Sequence, residues 1–211
     1  AYEAYLWLAG SQSLLELNDF HKLQRFGMAA FYMATTEGEL NWKVSNYWNT
    51  ARNECTWFGV DCATPNEDGE EAVTQISLPS NRLAGTIPRE IALAGIGGQL
   101  MKLNLAGNNL RGQLPDELGS FKSLVVLDLR ASSKLFPPPD DFSGQIPTAL
   151  GRLKKLEELQ LNSNDLSGEM PEEVCSLAQT QVLITAVADC DPTSPFGSVT
   201  CNVPDCCSAC T

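Results

Sequence analysis

The chain has 211 residues, eight cysteines and a formal net charge of −12. That length suits one domain, or one solenoid with its caps, and the negative balance argues against nucleic acid or an anionic membrane as partner. No apolar run of about 18 residues occurs, so no transmembrane helix is expected within it, and an even number of cysteines indicates an oxidising compartment.

The opening "AYEAYLWLAG" lacks a basic region followed by a long apolar one, so it does not read as an intact signal peptide. Residues 1 to about 33 read as helical. Phe20, Leu23, Gly27, Ala30 and Phe31 recur at steps of three and four, and Asn18 is placed to cap the second of two helices. Their apolar face is expected to cover the first of the repeats that begin at Val73, with a partner-binding amphipathic helix as the alternative. Residues 66–71, "NEDGEE", read as a solvated turn; they lack the twelve-residue calcium loop pattern.

From Val73 the pattern repeats. Copies start at 73, 100, 124 and 156, so the spacings are 27, 24 and 32. The clearest copy is "LMKLNLAGNNLRGQLPDELGSF", and the longest carries the insertion "ASSKLFPPPDD". A period of about 20–29 residues with this leucine spacing is the signature of a leucine-rich repeat solenoid, each repeat giving one strand to a parallel sheet. The inward strand positions are Ile76 and Leu78, Leu103 and Leu105, Leu127 and Leu129, Leu159 and Leu161. Asn81, Asn108 and Asn164 are expected to close the turn by satisfying backbone groups. Gly85, Gly112, Gly144 and Gly168 mark a second bend, and Ile87, Leu114, Ile146 and Met170, each before a proline, form another apolar column. Ile91, Leu118, Leu150 and Val174 belong to the return segment. About five parallel strands are expected, the fifth near residues 182–187. The divisions are a helical cap over 1–72, the solenoid over 73–187 with four full repeats and one partial, and a Cys-rich cap over 188–211.

The "LxGxIP" element resembles that of plant-type leucine-rich repeats, as in plant receptor ectodomains and cell-wall inhibitor proteins. "WNTARNECTWFGVDC" resembles the N-terminal cap of those proteins, and "FYMATTEGELNW" the segment before it. The resemblance covers about residues 18 to 190 and implies a right-handed solenoid with a parallel concave sheet and a bridge between Cys55 and Cys62. Two features depart from it. Ser132 stands where repeat three should have Asn, and the ending "CNVPDCCSAC" is denser in cysteine than the usual two-cysteine cap. Such tails resemble those of related algal proteins, as in diatoms. With the first pair set aside, Cys175, Cys190, Cys201, Cys206, Cys207 and Cys210 allow fifteen pairings, of which about twelve avoid joining the vicinal pair. A zinc site built from Cys201, Cys206, Cys207 and Cys210 is the alternative.

Chemistry finds little purchase. The one histidine, His21, lies on the cap, so no Ser-His or Cys-His nucleophile is built in the repeats. No phosphate loop or dinucleotide motif occurs. Asp128 and Glu158 are carboxylates on neighbouring strands, the weak basis of a glycosidase reading. An enzyme is not expected, nor a cofactor or metal. Solenoids bind through their concave sheet, which places recognition on Gln75, Ser77, Lys102, Asn104, Asp128, Arg130, Glu158, Gln160 and Asn162, with Pro79, Ala106 and Val126 among them. Leu135 and Phe136 in the insertion are apolar where a loop would be polar, which marks either a contact or local packing. The resemblance implies an extracellular recognition module, secreted or at the cell surface. Its partner would be a protein or peptide ligand, or a co-receptor. Its alternatives are a secreted inhibitor of a wall hydrolase, a structural or adhesive wall protein, or a surface binder of ice. The exposed rows are too irregular to favour ice.

Overall fold

The computed structural model describes residues 2–10, 17–37, 42–64, 71–93, 96–131, 141–180, 182–189, 198–201, 206–207 and 209–210. Its spine is one seven-stranded sheet. The strands are β1 (Val60–Cys62), β2 (Val73–Ser77), β3 (Lys102–Asn104), β4 (Val126–Asp128), β5 (Glu158–Gln160), β6 (Thr185–Ala188) and β7 (Ala209–Cys210). From β2 to β7 each strand pairs in parallel with the next. Only β1 runs antiparallel, against β2. The five repeat strands are where the repeat pattern puts them. The two flanking strands come from the caps, outside the repeat, and no periodicity announces them.

Register explains the leucines. Ile76, Leu103, Leu127, Leu159 and Ala186 face one another across successive strands. Together with Leu78, Leu105, Leu129 and Leu161 they are at most 2% exposed. A lone repeat could not bury these side chains; a stack buries them in continuous columns. Ile87, Leu114, Ile146 and Met170 line a further buried column, and Ile91, Leu118, Leu150 and Val174 complete the core from the back. The return segments there are short: α3 (Glu90–Leu93), 3₁₀ turns over Asp116–Ser120 and Thr148–Arg152, and α4 (Glu172–Gln179). They pack closely enough that a Cβ on Gly119 would strike the Ala149 carbonyl. Gly112 turns the chain at φ +85°, a conformation L side chains rarely adopt.

The asparagines form a ladder through the buried turn. Asn108 Nδ2 donates to the carbonyls of Leu78 and Leu105 at 2.8 and 2.7 Å, and its Oδ1 accepts from the amides of Asn81 and Leu83 at 2.9 and 3.1 Å. One side chain thus satisfies four backbone groups from two repeats. Asn81 does the same toward the N-terminal cap, exchanging bonds with the Val44 backbone. Asn164 donates to Leu129 and Leu161 and accepts from the Phe142 amide, and Asp189 takes over as acceptor of the Asn164 amide at 2.9 Å.

At the N-terminal end, α1 (Tyr2–Gly10) packs on α2 (Asp19–Ala34). Asn18 caps α2, accepting from the His21 amide at 2.9 Å. The packed face differs from the expected one. Gly27, Ala30 and Phe31 are buried, but Leu23 is 53% exposed, and Gln24 and Arg25 are buried instead. Polar heads go inward because β2 starts with backbone groups that need partners. Gln24 Oε1 accepts from the Val73 amide at 2.9 Å and its Nε2 donates to the Glu71 carbonyl. Arg25 pairs with buried Glu54 at 2.5 Å, donates to the Ala51 carbonyl and lies over the Trp57 ring. Trp42, Trp48, Trp57, Phe31 and Tyr32 then close the first core layer as one aromatic cluster.

Cysteines pin both ends. Cys55 and Cys62 are bridged, which fixes β1. Cys175 on α4 is bridged to Cys206, and Cys201 to Cys207. The four-thiolate reading of the tail fails because three of its four cysteines are in disulfides. Cys190 lies outside the described residues.

Candidate recognition face

Alternation along β2–β6 sends one set of side chains into the core and the other to the open face. In register, the open face carries two rows. One is Gln75, Lys102, Val126, Glu158 and Thr185; the other is Ser77, Asn104, Asp128, Gln160 and Val187. At about 4.8 Å between strands, five strands span about 19 Å, enough to seat an extended segment or a turn. Arg130 and Asn162 continue the surface just past β4 and β5.

Most of the expected residues are half-buried, as side chains in a closely spaced row should be: Gln75, Ser77, Lys102, Asn104, Glu158, Gln160 and Asn162. Arg130 and Pro79 are exposed. Two depart from expectation. Ala106 is buried, and Asp128, expected on the exposed face, is only 2% exposed. Burial pushes the Asp128 carboxyl above its ordinary value, and Glu158 adds to that. The Arg130 guanidinium and backbone amide oppose it. Arg130 reaches Asp128 Oδ2 at 3.0 Å, and its amide points to Oδ1 at 3.4 Å.

Side-chain bonds along the strands order the rows, and one joins them. Asn104 Oδ1 accepts from the Ala106 amide at 3.0 Å, and Gln160 Nε2 donates to Glu158 Oε1 at 3.3 Å. Asn162 Oδ1 is buried without a hydrogen-bond partner at the edge of this face. Sequence reasoning missed Met101 and Ile184, 49% and 69% exposed, which stand just before β3 and β6. An apolar residue at a repeat position where Glu157 shows that charge is tolerated was the available signal. It also missed Thr185 and Val187, because the fifth repeat lacks the Asn and LxGxIP landmarks. Leu135 and Phe136 lie outside the described residues. Among the described residues no group of three or more His, Cys, Asp or Glu side chains could hold a metal ion, and no helix is long and apolar enough to cross a membrane.

The family model described as Leucine Rich Repeat matches residues 99–121 and 155–177. Over 97 residues, 44% of the chain, the sequence is 36% identical to the leucine-rich repeat receptor-like serine/threonine-protein kinase RGI4 of Arabidopsis thaliana, of which it spans 7%. It spans 10% of Protein MALE DISCOVERER 1 and 18% of the probable LRR receptor-like serine/threonine-protein kinase RPK1 from the same plant, so it corresponds to a small part of each. Among solved structures it is similar to the leucine-rich repeat ectodomain of the receptor kinase SOBIR1 from Arabidopsis thaliana, with a TM-score of 0.60 and 27% identity over 82% of each chain. It is also similar to a chain of the BIR3–SERK2 complex from that plant, with a TM-score of 0.53 and 28% identity over 74% of this chain and 71% of that one.

Proposed function

We propose that this chain, a leucine-rich repeat solenoid of the plant receptor-ectodomain type, is an extracellular, non-enzymatic recognition module. It serves as the ligand-sensing or co-receptor part of a receptor. The observation that carries this reading is the pair of register-aligned side-chain rows on β2–β6, which offer donors, acceptors and both signs of charge on a rigid parallel sheet. Rigid strands lower the ordering cost of binding. The partner is a protein or peptide: a linear row of half-buried amides and charges suits a backbone with side chains better than a small apolar ligand, which would need an enclosed pocket. In this reading residues 1–72 and 188–211 cap the solenoid at 73–187. Disulfides at both ends fit an oxidising exterior.

The test uses the purified chain as bait in extracellular extract, beside variants with Asn104→Arg or Gln160→Arg. Both substitutions enlarge residues of the row that also holds Ser77 and Asp128, without touching the core. Retention of a specific protein or peptide by the parent and its loss from both variants, at unchanged melting temperature, is the expected result. Equal retention by all three removes the sheet face as the contact site.

A further inference from the structure

We infer that Asp128 is a proton-controlled tether for Arg130 at the centre of the sheet face. Charged, it holds the guanidinium against the sheet; a proton taken from solvent neutralises it and releases Arg130 to meet an anionic group on a partner. The role of that partner rests on the recognition reading proposed for the sheet face, whereas the tether is a property of the chain alone.

The geometry sets this up. Asp128 lies on the middle of the five repeat strands, its side chain 3% exposed. Its neighbours in register are Asn104 and Gln160. Both are neutral, and each is engaged elsewhere. The charge is therefore answered by Arg130 alone among its contacts, and Arg130 is 48% exposed. A buried carboxylate compensated by a half-exposed, solvent-screened cation is an unbalanced arrangement. The other charged groups facing it sharpen the imbalance. Lys102 on β3 and Glu158 on β5 both stand opposite Val126, two residues before Asp128. Burial is the larger cause that raises the Asp128 carboxyl above its ordinary value, and of the two neighbours Glu158 adds to it. Exposed Glu157 lies one residue further back. Arg130 has five N–H donors in a fork and pairs with Asp128 through one nitrogen, with its side chain 48% exposed. Once the carboxyl is neutral, the ion pair is lost and only a neutral hydrogen bond can hold the fork, and the net charge of the face rises by one unit.

The experiment is a titration of the intact chain by NMR, following the Asp128 carboxyl carbon and the Arg130 Nε–H from neutral pH to about pH 4. Asp128 should titrate above the exposed aspartates, and the Arg130 signal should move with the same midpoint. Asp128→Asn, nearly isosteric, should place Arg130 at its low-pH position throughout. Sulfate serves as the anionic probe. Its effect on the Arg130 signal should strengthen on the order of fivefold across the midpoint, about the scale of losing one ion pair whose cation is half exposed. It should become independent of pH in Asp128→Asn and disappear in Arg130→Gln. An Asp128 that titrates with the exposed aspartates, or an Arg130 signal that ignores its titration, overturns the tether. A measured tether beside face variants that still retain the partner would instead remove the recognition reading and leave the tether standing.

Discussion

Asn108 shows how much a single side chain holds in this fold. Its amide replaces four backbone partners that the turn cannot supply internally. Asn108→Ala leaves several buried groups unpaired, each costing about 1–3 kcal/mol, so a loss of about 3 kcal/mol or more is expected in urea unfolding. Its exposed neighbour Asn109, changed to Ala, should move stability by less than about 0.5 kcal/mol. Asp128 works in the opposite direction. Its folded carboxyl titrates above the ordinary value of 3.8, so in the window just above that value the folded state binds the proton that the unfolded state has released. Stability then falls as pH rises through the window. Asp128→Asn should therefore be more stable than the parent at neutral pH, with the difference vanishing below the ordinary carboxylate range. A difference that grows on acidification would contradict the burial argument. The Asn positions were readable in the sequence because they recur. Gln24 and Arg25 were not: each meets a backbone or carboxylate need that arises once, at the first layer, and their polar side chains count as solvent-facing.

At the scale of elements, the strands and the second bend were legible because repetition makes each residue vouch for its counterpart 24 or more positions away. The cap strands β1 and β7 have no counterpart, and their pairing depends on covalent staples rather than on pattern. Loop-closure entropy ranks those staples. Breaking Cys55–Cys62, seven residues apart, should cost about 2.5 kcal/mol, and breaking Cys175–Cys206, 31 apart, about 3.7 kcal/mol. Paired Cys→Ser variants compared by chemical denaturation check the order; a larger loss from the shorter loop would speak against it. Peptide mapping without reduction should recover Cys55–Cys62, Cys175–Cys206 and Cys201–Cys207. Leu23 offers a contrast within α2: Leu23→Ser should leave stability nearly unchanged because the side chain is more than half exposed, while Gln24→Ala strands the Val73 amide and should cost about 1–3 kcal/mol.

For the whole molecule, the stack converts a one-dimensional repeat into a rigid two-dimensional display. Core columns hold the strands in register, and register aligns the outward rows. The composition of those rows on the first four repeat strands was visible from the sequence, but the depth of each side chain was not, since it depends on what neighbouring strands place beside it. Asp128 is the clearest example, buried by its position in the row rather than by its type. The most direct measurement of the recognition claim is site-specific photo-crosslinking to the retained partner. A photoreactive residue in place of Gln160 or Ser77, on the sheet face, is expected to capture the partner, whereas one in place of Arg152 or Glu172, on the back of the solenoid, is expected not to. Capture from the back positions with none from Gln160 or Ser77 would contradict the account.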